Sequence, residues 1–79
     1  MQPIGSDKPA AYAAEVTPSD SADLSRPARG IYVGTEGAVK VTTTGGSTVT
    51  FTNVYGILPV EVVRVFSTGT TASGIVAMW

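Results

Sequence analysis

The sequence predicts an all-β protein: a small antiparallel β-sandwich or barrel of about five to six short strands, preceded by an extended N-terminal arm. Three observations carry this expectation. Thr and Val, both β-branched and at home on a pleated surface, dominate the second half of the chain. Turn signals built on Gly, Pro and Asn recur there at the spacing typical of sandwiches and small barrels. No stretch shows a sustained helical period of apolar residues.

The arm is read as residues 1–29 and the β domain as residues 30–79. Four of the five prolines, Pro3, Pro9, Pro18 and Pro27, fall in the arm. Each fixes φ, removes a donor and pushes its predecessor toward extended backbone. Ala10 to Val16 fits either a helical turn or two, or a short edge strand that ends at Thr17-Pro18. Ser19-Asp20-Ser21-Ala22-Asp23 predicts a turn whose side chains bond their own backbone. Fixing backbone costs about 1–2 kcal/mol per residue, so an arm of this length needs a large contact surface, and a neighbouring chain is its expected supplier.

From Gly30 onward the elements follow in order. Ile31-Tyr32-Val33 predicts a short strand and Gly34-Thr35-Glu36-Gly37 a turn. Ala38 to Thr43 alternates, with Val39 and Val41 on one face and Lys40 and Thr42 on the other. Gly45-Gly46 signals a two-residue hairpin loop. Thr48 to Asn53 alternates again, with Val49 and Phe51 inward. Val54 to Pro59 predicts a loop, Val60 to Thr68 the longest strand, Thr70 to Gly74 a turn, and Ile75 to Trp79 the last strand. That gives five strands plus a possible strand in the arm.

Composition restricts what such a domain does. A chain of 79 residues sits near the lower limit of independent stability. It has no cysteine, so disulfides and thiolate metal sites are excluded. It has no histidine either, which removes the commonest general base. Oligomerisation is the remaining route to stability. Five basic residues against six acidic ones form no cluster able to track a phosphate backbone, so nucleic-acid binding is not expected. Met1 to Asp7 lacks the basic start and apolar run of a signal peptide, and no stretch reaches the roughly 20 apolar residues that span a bilayer. The expected protein is made in the cytoplasm, stays soluble and has no membrane partner. The acidic residues predict neither a glycosidic pair nor a calcium loop. No enzymatic activity, cofactor or metal is expected.

Contact residues are expected instead. Arg26 and Arg29 flank Pro27 at the junction of arm and β domain, and arginine is favoured at interfaces. Tyr12 and Tyr55 fall in arm and loop sequence, where exposed aromatics serve as anchors. Trp79, at the end of the last strand, is expected to pack in a core or interface, with a sugar-stacking platform as the alternative.

Val16-Thr17-Pro18-Ser19-Asp20-Ser21-Ala22-Asp23-Leu24, followed by Arg26-Pro27-Ala28-Arg29-Gly30-Ile31-Tyr32-Val33-Gly34, resembles a "TPSDS…DL…ARALYVG" pattern of small phage head proteins. VKVTTTGGSTVTF (39–51) and VRVFSTGTTASGIVAMW (63–79) look like its continuation. The similarity is to the head-spike base protein family of alphaproteobacterial gene transfer agents and related tailed phages. It spans Val16 to Trp79 and leaves Met1 to Glu15 uncovered. It implies a non-enzymatic virion protein on the capsid exterior, in a symmetric homo-oligomer with a pentamer favoured over a trimer. The implied partners are the major capsid protein and a spike or fibre protein. Thr17, Pro18, Asp20, Asp23, Arg26, Arg29, Tyr12, Tyr55 and Trp79 are the expected oligomer or capsid contacts. The other reading is a glycan- or receptor-binding module of a virion fibre, using Trp79 and Tyr55.

Overall fold

A computed structural model describes residues 10–79. The expectations for Met1 to Asp7, and for Pro3 and Pro9, lie outside the described residues. The fold is all-β, with five strands in one antiparallel sheet: β1 (Ala13–Glu15), β2 (Gly30–Thr43), β3 (Thr48–Leu58), β4 (Val62–Val65) and β5 (Ser73–Met78). The expected arm strand exists, as β1 on the outer edge of β5, so the edge-strand alternative for Ala10 to Val16 holds.

β2 organises the molecule. Ile31–Val33 and Ala38–Thr43, expected as two strands around a turn, are one continuous strand of 14 residues. The glycines expected to turn the chain sit instead beside register shifts between Val33, Gly37 and Val39, where the strand bends without leaving the sheet. β3 covers one side of β2 along almost its whole length, from Ile31↔Leu58 to Thr42↔Thr48. On the other side three segments follow one another. β5 pairs Gly30 to Thr35 and β4 pairs Val41 to Thr43. Between them Phe66 N–H donates to Lys40 O, Thr71 N–H to Ala38 O, and the Ala38 and Lys40 amides donate to the Thr71 and Thr70 hydroxyls.

The β2–β3 hairpin forms at Gly45-Gly46, with a three-residue rather than a two-residue loop. Gly46 N–H donates to Thr43 O, Thr43 N–H donates to Ser47 O, and of the three loop residues Gly46 takes positive φ, at 93°. This is the type I turn closed by a glycine bulge. The loop expected over Val54 to Pro59 is strand as far as Leu58, since the N-terminal half of β2 supplies partners as far as Ile31. Val60 to Thr68, expected as the longest strand, contributes only the four residues of β4. Phe66 to Thr68 turn away to bridge the gap beside β2 and to meet the arm.

The core gathers around β2: Ile31, Val33, Val39 and Val41 of β2, Val54, Val62, Val65, Ile75 and Ala77 of its neighbours, with Ala28 and Ala72. Val16, Leu24, Phe51, Leu58, Val60 and Trp79 close its margins. Of the two β3 residues expected inward, Phe51 packs against this core, whereas Val49 remains 40% exposed although it lies opposite buried Val41.

Residues 10–29 find their contacts on the chain's own sheet. Ala11 and Tyr12 amides donate to Trp79 O, and Val16 N–H donates to Ile75 O, along β5. The chain then crosses to β4, where Ser19 N–H donates to Val65 O, Leu24 N–H to Val63 O, and Ala28 and Val62 exchange two bonds. One arm thus borders both strands on that side of β2.

Candidate interaction surface

The expected contact residues fall into three places. The first is the crossing of the arm over β4. Ser19 Oγ accepts from the Ser21 and Ala22 amides, which is the local turn the sequence predicts. Asp20 does otherwise: its Oδ1 accepts from the Ser67 and Thr68 amides and its Oδ2 from the Thr68 hydroxyl. The Thr68 hydroxyl, then the Thr68 amide, hold its carboxyl below the usual carboxylate range, because these donors favour the charged form. Asp23 Oδ1 lies 2.8 Å from Arg64 Nε in an ion pair. Arg64 also donates to Asp20 O and Ser21 O. The Arg64 guanidinium lies over the Phe66 ring, as does the Lys40 ammonium. Arg64 and Thr68 complete this clamp and were not expected in it. Their partners lie more than 40 positions away, a separation that leaves no signature in local spacing. Among the described residues no group of acidic side chains could hold a metal ion.

The second place is the end of β5. Tyr12 stacks on Trp79, with ring centroids 6.3 Å apart and planes 24° from parallel. The Arg26 guanidinium lies 5.5 Å from the Trp79 ring centroid, in cation–π range. Trp79 is half-buried against the core, and its indole Nε1 is buried without an acceptor among the described residues. A shallow cavity of about 200 Å³ opens beside it, lined by Glu15, Thr17, Asp23 and Arg26 among others. Thr17 is exposed, Pro18 and Arg29 are half-buried, and the Arg29 amide donates to Met78 O.

The third place is β3. Tyr55 stands 68% exposed and Ile57 66% exposed, on the same face as Tyr32, which lies directly opposite Ile57 on β2. Tyr32 and Ile57 were not anticipated here. The alternation of Ile31, Tyr32 and Val33 was the available signal, since two buried neighbours force the residue between them outward. Of the two aromatics in the glycan- or receptor-binding alternative, Trp79 lies against Tyr12 and Arg26, and Tyr55 stands exposed on β3 beside Ile57.

No family model matches the sequence, and no curated protein matches it. Among solved structures, the chain is similar to one in "Capsid of native GTA particle computed with C5 symmetry". The two share 46% sequence identity and superpose with a TM-score of 0.82, over 92% of this chain and 87% of the other. With identity at that level along nearly the whole of both chains, the protein belongs to the family of this GTA capsid chain.

Proposed function

We propose that the protein is a non-enzymatic structural subunit on the exterior of a tailed-phage or gene-transfer-agent capsid. In this reading it forms a symmetric homo-oligomer, a pentamer in preference to a trimer, that serves as a head-spike base or decoration and anchors a spike or fibre. Its partners are the major capsid protein and the spike or fibre protein, and its location is the virion surface. The observation that carries the reading is the 46% identity with a GTA capsid chain over 92% of this one. Residues 1–29 act as the arm and residues 30–79 as the assembling β domain. Of the expected contact residues, Tyr12, Thr17 and Tyr55 offer exposed side chains to a partner. Asp20, Asp23 and Arg26 serve first to fix the arm that presents them.

The test is particle composition. Particles from a producing strain are purified on a density gradient, analysed by mass spectrometry, and imaged by cryo-electron microscopy beside those of a deletion strain. The protein should band with the particles, and its deletion should remove external density at symmetry-related positions while filled heads remain. A protein found only in the soluble fraction, with unchanged particle density after deletion, would overturn the reading.

A further inference from the structure

Strand β3 is the anomaly of this surface. It is 11 residues long, lies at the end of the sheet order β1-β5-β2-β3, and pairs with no strand on its outer side among the described residues. It contains no charged residue and no proline, the two commonest guards of a free edge. Val49, Tyr55 and Ile57 along it are exposed apolar or aromatic side chains. Free backbone donors and acceptors in a row, with apolar side chains beside them, are the complement of another strand.

The same chain carries such a strand. β1 forms the opposite end of the sheet, its outer side is likewise unpaired among the described residues, and it does not touch β3. From β1 to β3 there are three antiparallel steps, so β1 and β3 run in opposite directions. When two copies stand side by side with their strands pointing the same way, β1 of one therefore meets β3 of the other antiparallel, and the alternation continues unbroken. Side-chain facing agrees as well. Glu15, Val76, Tyr32 and Ile57 form one continuous row across the four strands. Extending that row brings Glu15 of the next copy beside Ile57 and Tyr55.

We infer that β1 of one copy adds to β3 of the next, so that the sheet passes from subunit to subunit around a closed ring. The inference rests on the homo-oligomeric reading above. The contact is head-to-tail, and cyclic closure lets every copy cover both of its edges. Pairing β3 with β3 instead would close a two-fold dimer and leave both β1 edges bare.

The absence of cysteine in the native chain makes the test direct. Glu15→Cys is combined with Tyr55→Cys in one variant and with Ile57→Cys in another, since neighbouring strands place Cα atoms within disulfide reach. All three positions are exposed, and circular dichroism checks that each variant keeps the β spectrum. On oxidation, at least one pair should yield a ladder of covalent oligomers ending at a single largest species. That species should match the solution mass from light scattering, and each single-cysteine variant should remain uncrosslinked. Dimers from Tyr55→Cys or Ile57→Cys alone would overturn the head-to-tail arrangement in favour of β3 on β3. A discrete oligomer that neither pair crosslinks would overturn it in favour of another surface. A monomer throughout would overturn it too, while the particle-composition experiment would still decide the virion role independently.

Discussion

The two sides of β2 are finished in opposite ways. On one side β5, the 66–72 loop and β4 follow one another along the strand, and the arm then runs along both β5 and β4. On the other side β3 pairs with β2 and then faces outward with nothing beside it among the described residues. On the first side the crossing of the arm over β4 is fixed by polar chemistry: an Asp20 carboxylate taking three donors, and an Arg64 side chain shared between Asp23 and two carbonyls. The second side carries apolar side chains and no charge. The two sides therefore differ in what covers them, and the open edge of β3 is the one that the proposed ring would close.

The largest expected effect comes from tightening the finished side where it is already closest. A Cβ built on Gly37 would lie 2.6 Å from Ala72 N and 2.9 Å from Thr71 C, both backbone atoms that cannot swing aside. Gly37→Ala should push the 71–72 segment off β2 and weaken the bonds that Ala38 shares with it. The cost is about 3 kcal/mol, at the upper end of overpacking substitutions, and chemical denaturation followed by circular dichroism would measure it. A midpoint unchanged from the native chain would show that this side is less tightly closed than its geometry implies.

A smaller and more local effect is expected where the arm crosses β4. Asp20 keeps its carboxyl charged at a lower pH than an ordinary carboxylate through bonds to Thr68 and Ser67. The contribution is therefore complete at neutral pH and is lost as pH falls through the lowered folded-state value. In acid below the ordinary carboxylate range, the arm should loosen from the 66–68 loop while the backbone ladder between β2 and β3, which involves no carboxylate, keeps its structure. The Ser67 and Thr68 amide resonances would report the release. Asp20→Ala should produce it at neutral pH and make residues 19–24 the first site of limited proteolysis. Equal protease resistance in the variant would mean that the Arg64 contacts and the backbone bonds to β4 suffice to hold the arm.

The finished side was also the less legible one in the sequence. Alternation and Gly45-Gly46 announce the β2–β3 hairpin, because its contacts are local in the chain. The arm clamp joins Asp20 to Thr68 and Asp23 to Arg64, and no spacing rule connects residues so far apart. The same non-locality misplaced the element boundaries. Gly34 and Gly37 read as a turn because nothing nearby shows that β5 and the 66–72 loop will hold the chain extended through them. Gly56 reads as a loop residue until the register with Val33 supplies its partner. Of the expected contact residues, Tyr12, Arg26 and Trp79 do assemble, but as an aromatic and cationic cluster within one chain. Tyr55 does stand exposed, but on a strand and beside an isoleucine no turn signal marks.

The smallest expected effect lies on the unfinished side and is the most informative for being small. Ile57 is 66% exposed, so most of its surface is already in water in the isolated chain. Ile57→Thr keeps the β-branched shape that suits a strand and removes apolar area that this chain leaves largely uncovered. Its cost to the fold of the monomer should fall within about 0.5 kcal/mol, the range of ordinary surface substitutions. Denaturation at concentrations low enough to keep the protein monomeric would measure that term. Light scattering at high concentration would measure association, which should weaken at least tenfold. A side chain retained for its own fold would show the reverse, a lower unfolding midpoint with unchanged assembly. The two sides of β2 separate by this measure: substitutions on the covered side should change stability in dilute solution, and substitutions at the exposed Tyr55 and Ile57 of β3 should change only what happens when copies meet.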